Sequence, residues 1–314
     1  MMMATEYYVF TGRERIPRHV THVLIDKALK FAPARAFYEH PNIQEVICHD
    51  GVLKIEQYAF YECPNLQEVI CHDSVVKIEQ SAFCFCPNLR RVIMPGAKVV
   101  ERWAFSCCKA LTFIECGKLV RIGEHAFREC TSLSSIDLPS IKIVEFKAFD
   151  ECTSLTNVKF GKDLESIGEM AFHKCTSMKR ITLPLKNGMI IHDSTFSECK
   201  MECVDLVEGA ILDDTIDALL IEEWKNDMNE EIDAINRIVA SAPAGNIVYD
   251  GGKAREIRTW IRSVLRKVIY HKAEHRRYLN VAAATLQTAL PNEIVLNNVL
   301  TFLELPPYKF QGEI

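Results

Sequence analysis

Two short runs of potential metal ligands stand 23 residues apart, Cys48-His49-Asp50 and Cys71-His72-Asp73. Cysteine thiolate and imidazole are ligands that Zn²⁺ prefers, and a Cys beside a His could also serve as a nucleophile with its base. Both runs lie at the end of a strand pattern, however, and successive side chains on a strand point to opposite faces. The Cys and His side chains of each run therefore diverge, and we predict neither a metal site nor a catalytic site here.

The rest of the sequence shows no convergent acid–base set, no nucleophile beside a base and no phosphate-binding loop. We therefore predict a protein without catalytic residues, without a metal or other cofactor and without a small-molecule substrate. The fixed interval between the two Cys-His-Asp runs therefore needs another explanation. The segment that contains both runs supplies it.

That segment is a repeat. Ile43–Asn65 and Leu66–Asn88 are identical at 17 of 23 positions. An apolar residue recurs every 22 or 23 residues, and two further apolar columns follow three and five positions later, which is the spacing of one face of a short strand. A single unit of this size cannot bury its apolar face, so the fixed interval predicts stacked coils. The first column comprises Val20, Ile43, Leu66, Leu89, Leu111, Leu133, Leu155, Met178 and Met201.

The second half of each unit carries Ala-Phe, followed three residues later by Cys. A Phe recurring in phase predicts a continuous stack of rings through the coils. The first unit is atypical, because His40 replaces the Cys, as expected where one side of a solenoid ends. We therefore expect Phe37 to be stacked on one side only.

The motif L-x-x-I-x-L…I-G-x-x-A-F-x-x-C, clearest in Leu119–Leu138 and Leu164–Leu183, resembles the BspA-type leucine-rich repeat. The resemblance implies an α/β repeat fold, a curved solenoid with a parallel sheet on its concave face. It also implies a surface or interaction protein. We assign residues 1–15 to an N-terminal tail or cap, 16–207 to eight to nine repeats of 22–24 residues, and 208–314 to a small all-α domain.

Helical spacing of apolar residues predicts three helices in the last domain, at about 214–240, 253–289 and 293–305. Glu208–Asp233 contains ten acidic residues, whereas the second helix carries a basic stripe. These helices could pair antiparallel with Trp224 and Trp260 shielded, or the basic stripe could bind a partner protein, a nucleic acid or a membrane. A homo-oligomer through these helices is a further alternative. The stripe comprises Arg255, Arg258, Arg262 and Arg266.

The outward positions of the strands contain an apolar row on the concave face. Its predicted members are Leu24, Ile47, Ile70 and Ile93, and its predicted border comprises Glu45, Glu68, Arg91 and Phe113. An exposed apolar ladder with a polar border is typical of a recognition surface. The alternative is that Tyr7–Phe10 or the helical domain covers the row.

Composition and charge indicate the cellular location of the protein. The net charge is −5, no apolar run is long enough for a membrane span, and the start lacks the order of a signal peptide. Ten of the 13 Cys belong to repeat columns, which predicts buried, reduced thiols. We therefore expect an intracellular, cytoplasmic protein without a membrane span, and nucleic acid is not the favoured partner.

Together these patterns predict a non-catalytic scaffold that binds another protein through the concave face of its solenoid. Two alternatives stay open. Leu290–Pro306 resembles the opening helix of an F-box, which would imply a substrate receptor of a ubiquitin ligase. An exported surface adhesion protein is the other, because bacterial proteins with this repeat are often exported.

Overall fold

The computed structural model describes residues 6–12, 15–207, 221–242 and 252–289. Side chains are described throughout these ranges except for 221–226 and, within 271–289, all but Arg277 and Val281. The chain forms a solenoid of parallel strands, followed by two α-helices that pack at its C-terminal end. The predicted fold class is thus confirmed.

Each coil contributes one longer strand to one side of the solenoid and one two-residue strand to the next side. The longer strands are β1 (Tyr8–Phe10), β2 (His22–Ile25), β4 (Glu45–Cys48), β6 (Glu68–Cys71), β8 (Arg91–Ile93), β10 (Phe113–Glu115), β12 (Ser135–Leu138), β14 (Asn157–Phe160), β16 (Arg180–Leu183) and β18 (Cys203–Leu206). The short strands are β3 (Phe31–Ala32), β5 (Lys54–Ile55), β7 (Lys77–Ile78), β9 (Val99–Val100), β11 (Arg121–Ile122), β13 (Ile143–Val144), β15 (Ser166–Ile167) and β17 (Ile190–Ile191).

The longer strands form two parallel sheets rather than one. The first has the order β1-β2-β4-β6-β8-β10 and the second β12-β14-β16-β18, whereas the eight short strands form one continuous sheet. Glu115 and Asp137 occupy equivalent outward positions on the two sides of the break. Glu115 pairs with Ile93 in the first sheet, and Asp137 pairs with Lys159 in the second. Facing acidic residues do not by themselves explain the break, because Glu45 faces Glu68 within the unbroken first sheet.

The segment assigned to a tail or cap contains a regular strand. β1 pairs parallel with β2, and Phe10 packs its ring edge-on against Phe37 at a centroid distance of 4.9 Å. Phe37 is only 1% exposed, because it also stacks on Phe60 at 4.4 Å. The expectation that Phe37 is covered on one side only is wrong, since β1 supplies the missing cover.

The Phe column forms the predicted stack through the middle of the solenoid. From Phe60 to Phe172, successive ring centroids lie 5.1–5.3 Å apart and the ring planes are within 6° of parallel. Phe196 closes the series at 5.8 Å from Phe172. Every ring between the ends is thus in contact on both faces, so each contributes to the packing of two neighbouring coils.

The Cys column contributes hydrogen bonds as well as packing. Each thiol donates to the carbonyl oxygen of the Phe in the preceding coil, for example Cys63 to Phe37 at 3.0 Å and Cys199 to Phe172 at 2.8 Å. His40, which replaces the Cys of the first coil, makes a 3.1 Å contact from Nε2 to the Pro17 carbonyl oxygen. A small side chain with a weak donor therefore suits this column, and packing alone is an incomplete account of it.

The cysteine thiols of the protein, inside and outside this column, are expected to react slowly in the folded state. Burial raises the pKa of Cys84 and of Cys116 to about 12, so the thiolate that reacts is scarce at neutral pH. Twelve of the 13 Cys are buried, and Cys203 is half-buried. Titration with a chromogenic disulfide should detect few groups before denaturation and close to thirteen after it. Rapid labelling of most thiols in the native protein would contradict this packing.

The two helices are α1 (Ile221–Ser241) and α2 (Gly252–Ala289). α1 contacts β18, where Asn236 accepts a 2.8 Å hydrogen bond from the Val204 amide. The ammonium of Lys253, which is buried, donates to the carbonyl oxygens of Met201 and Val239. Lys253 therefore joins α2 to both the solenoid and the end of α1, and burial lowers its pKa.

The helices run antiparallel, because Lys253 meets Val239 and Lys267 pairs with Glu231. Trp260 is buried, as predicted. Four predicted features lie outside the described residues or side chains. They are the side chain of Trp224, the start of the first helix at 214, the third helix at 293–305 and the F-box-like segment 290–306.

Candidate functional site

The strand face is the surface formed by the outward side chains of the longer strands, and it is the face predicted to be concave. In β2, β4 and β6 the inward residues are buried and the outward residues half-buried, as alternation requires. Leu24, Ile47, Ile70 and Ile93 lie directly opposite one another in register. The structure therefore brings all four predicted apolar residues into one row.

The row has a fifth member that the sequence analysis missed. Val9 on β1 pairs with Leu24 and is 44% exposed. The alternation of Tyr7-Tyr8-Val9-Phe10 was the available signal, but the segment lies outside the repeat period. The apolar row is therefore defined as Val9, Leu24, Ile47, Ile70 and Ile93, and it ends where Glu115 pairs with Ile93.

Tyr7–Phe10 does not cover the row, because β1 adds a strand at the edge of the sheet and Val9 becomes the first member of the row. α1 contacts β18, at the opposite end of the strand face. Within the described residues, neither of the segments proposed as a cover lies over the row, in which Val9 is exposed and the other four side chains are half-buried.

The predicted polar border lies beside the row and is linked across the strands. Tyr7 donates a 2.9 Å hydrogen bond to Glu45, and the His22 ring lies 5.6 Å from the Tyr7 ring. Burial and the hydrogen bond to Glu45 raise the pKa of the Tyr7 phenol. Arg91 pairs with Glu68. These contacts hold the border side chains in place before any partner binds, which lowers the entropy lost on binding.

Phe113 completes the border. Its ring is about half exposed, and the Arg91 guanidinium lies 5.6 Å from the ring centroid. The structure thus brings together all eight predicted site residues on the six-stranded sheet. It adds two residues to this set, Val9 on β1 and Tyr7 directly before β1.

The two Cys-His-Asp runs have the divergent geometry that alternation predicts. Cys48 and Cys71 are buried, with their sulfur atoms 3.6 Å apart, whereas His49 is half-buried, His72 is exposed, and each contacts the Asp that follows it. Among the described residues, no group of three potential ligands is placed to hold a metal ion.

Among the described side chains, the four Arg of the basic stripe form no ion pair with α1. Lys267 forms an ion pair with Glu231 of α1. Arg258 instead pairs with Asp193 of the solenoid and donates a 2.5 Å hydrogen bond to the Ile191 carbonyl oxygen. Acidic and basic helices do pack together, but their contact is largely apolar.

A second surface feature was missed by sequence reasoning. Aromatic and cationic side chains meet around the Ala-Phe turns, where Tyr38 stacks on Tyr61 at 5.2 Å and Arg102 lies 4.5 Å from the Trp103 ring centroid. A shallow cleft of about 480 Å³ opens beside Phe85. The signal in the sequence was an aromatic residue directly before or after Ala-Phe in three repeats, at Tyr38, at Tyr58 and Tyr61, and at Trp103. The cleft is lined by Glu62, Pro64, Phe85, Pro87, Cys107, Lys109, Arg128 and Glu129.

Coils of a longer and a shorter parallel strand around a stack of Phe rings define a leucine-rich-repeat solenoid. The model of the BspA type leucine rich repeat region matches residues 18–120 and 98–211, with six copies of the repeat. The chain belongs to the BspA-type leucine-rich-repeat family.

Solved structures with similarity to the chain are also leucine-rich-repeat proteins. One from Bacteroides ovatus is 21% identical, with a TM-score of 0.48, over 60% of this chain and 61% of its own. One from T. pallidum is 24% identical, with a TM-score of 0.44, over 55% of this chain and 77% of its own. This chain therefore spans less than two thirds of the Bacteroides ovatus protein. Comparison with curated proteins finds no match.

Neither α1 nor α2, as far as their residues are described, combines the length and the apolar character that crossing a membrane requires.

Proposed function

We propose that this protein is a non-catalytic scaffold that binds another protein through its strand face. The observation that carries the proposal is the apolar row, five branched side chains in register on a rigid sheet with a polar border held by internal contacts. Burial in the core explains the inward columns, but it does not explain an accessible apolar column.

The physical argument concerns the entropy of binding. Val, Leu and Ile side chains on a sheet have few rotamers to lose, so most of the free energy from burying them is available for affinity. The border contributes specificity, because its charges favour partners of complementary pattern and exclude others. Later coils place charged or polar residues at the same position, such as Glu115 and Lys159, which limits the proposed site to the N-terminal half of the face.

Ile70→Asp tests the proposal, with Val76→Asp as the matched control. Both residues belong to the same coil and both are accessible, but Val76 lies beside the short strand β7, away from the row. We expect both variants to unfold within about 1 kcal/mol of each other, the range of strand preference for one substitution. Affinity purification from an extract of the source cells should recover a partner with wild type and Val76→Asp.

Ile70→Asp should lose that partner, because it places a charge at the centre of the proposed contact. Retention of the partner by Ile70→Asp would contradict the proposal. A much larger loss of stability for Ile70→Asp than for Val76→Asp would mean that the row is covered within the chain.

A further inference from the structure

Carboxylates surround the apolar row. Those at its border and at the ends of its strands are Glu45, Glu68, Asp50, Asp73 and Glu115. Within the described part of the chain, Glu68 is the member of this set that has an Arg or Lys partner, through Arg91. The surface is therefore apolar along its centre and acidic around it, and it fits an occupant with cationic groups carried on apolar stems.

Arginine is the side chain with those properties. Its methylene stem covers apolar surface while its guanidinium reaches outward, and the guanidinium binds carboxylates by two parallel hydrogen bonds. An occupant with several Arg on one face would satisfy the row and its acidic surroundings at the same time.

α2 of this chain presents such a face. Arg255, Arg262, Arg266 and Ile269 are exposed and follow one another at spacings of seven, four and three residues, so they lie along one side of the helix. None of the three Arg has an ion-pair partner among the residues that the structure describes. We call these four residues the basic face. The opposite side of α2 is buried through Ile257, Trp260, Ile261, Val264 and Val268.

The two surfaces match in length. Five neighbouring strands at about 4.8 Å place the ends of the row roughly 19 Å apart. Fourteen helical residues at about 1.5 Å per residue place Arg255 roughly 21 Å from Ile269. The basic face can therefore cover the whole apolar row when the helix lies along it.

We propose that the apolar row is the docking site for the basic face of α2 in a second copy of this chain. The proposal rests on the proposed function and names its partner. The helix must come from another copy, because α1 and α2 are held at β18, the fifth longer strand beyond β8 and roughly 24 Å from it. A contact between two different surfaces is heterologous, so each copy can bind one copy at each end, and the assembly grows as a chain or closes as a ring.

Charge reversal on each surface tests the proposal with the full chain. Arg262→Glu with Arg266→Glu makes the helix acidic, and Asp50→Lys with Asp73→Lys makes the surroundings of the row basic. Sedimentation velocity should show wild type associating as its concentration rises, and less so in about 0.5 M than in about 0.05 M salt, because salt screens exposed charges. Each double variant should associate at least roughly tenfold more weakly, since every reversal replaces an attraction by a repulsion.

An equimolar mixture of the two double variants should regain association, because the unaltered row of one fits the unaltered helix of the other. Lys98→Glu with Lys142→Glu is the control for net charge, since both lysines are exposed beside the short strands. This control should associate like wild type. All substituted residues are exposed, and circular dichroism will verify that each variant is folded.

Monomeric wild type at every concentration would overturn self-assembly, whether or not the basic face then binds DNA. Association that neither double variant weakens would overturn it as well, because another surface would then be responsible. Neither result alters the proposed function, which the comparison of Ile70→Asp with Val76→Asp tests separately.

Discussion

Phe127→Ala is expected to lower the free energy of unfolding by about 3–5 kcal/mol. Phe127 is fully buried, and its ring stacks on Phe105 at 5.3 Å and on Phe149 at 5.2 Å. Coils on both sides hold these neighbours in place, so they cannot move to fill the cavity. Urea denaturation followed by circular dichroism measures the loss.

Phe85→Ala is the matched control, because Phe85 is 46% exposed and makes an edge contact with Tyr61 at 5.8 Å. It should cost about 1 kcal/mol or less. Phe37→Ala should resemble Phe127→Ala, since Phe10 covers its outer side. Similar losses at Phe127 and Phe85 would be incompatible with a stack of rings as the main support of the solenoid.

Asp150→Ala is expected to cost about 3 kcal/mol, because it removes one partner from a buried charge network. Asp150 is 2% exposed and contacts His173 at 2.6 Å, Arg128 at 3.4 Å and Lys147 at 3.7 Å. His173, also buried, is bonded through its other ring nitrogen to Glu198 at 3.3 Å. The substitution removes the closest partner of the His173 ring and the carboxylate that Lys147 contacts, whereas Arg128 keeps Glu129 at 3.0 Å.

Asp73→Ala isolates the contribution of burial. Asp73 contacts His72 at the same 2.6 Å distance, but it is 61% exposed, so water replaces the lost contact and the cost should be below about 1 kcal/mol. Asp150→Asn should fall between the two, because its amide oxygen still accepts a hydrogen bond from His173. Equal losses for Asp150→Ala and Asp73→Ala in the same denaturation experiment would mean that the network contributes nothing beyond a surface pair.

Local periodicity made most of the solenoid predictable. Strand positions, the Phe stack, the Cys column and the outward direction of Ile47 and Ile70 all follow from residues that recur at one interval. Identical units can bury their apolar faces only by stacking in phase, so the position of a residue in one coil determines its neighbours in the next.

Features outside the period were predicted less well. Tyr7–Phe10 has a strand-like alternation but no repeat to align with, so its pairing with β2 and its cover over Phe37 came only from the structure. The sheet break between β10 and β12 also escaped prediction, because the apolar columns continue across it without a change of period.

The repeat pattern was sufficient to predict the family, the direction of each strand side chain and the apolar row from Leu24 to Ile93, because alternation and stacking are local rules applied once per coil. The folded structure was needed to show that Val9 lengthens the row, that Arg258 pairs with Asp193 and that Lys253 joins α2 to Met201. These contacts join residues that do not occupy equivalent positions in the repeat. Their pairing therefore depends on the shape and charge of surfaces that folding brings together.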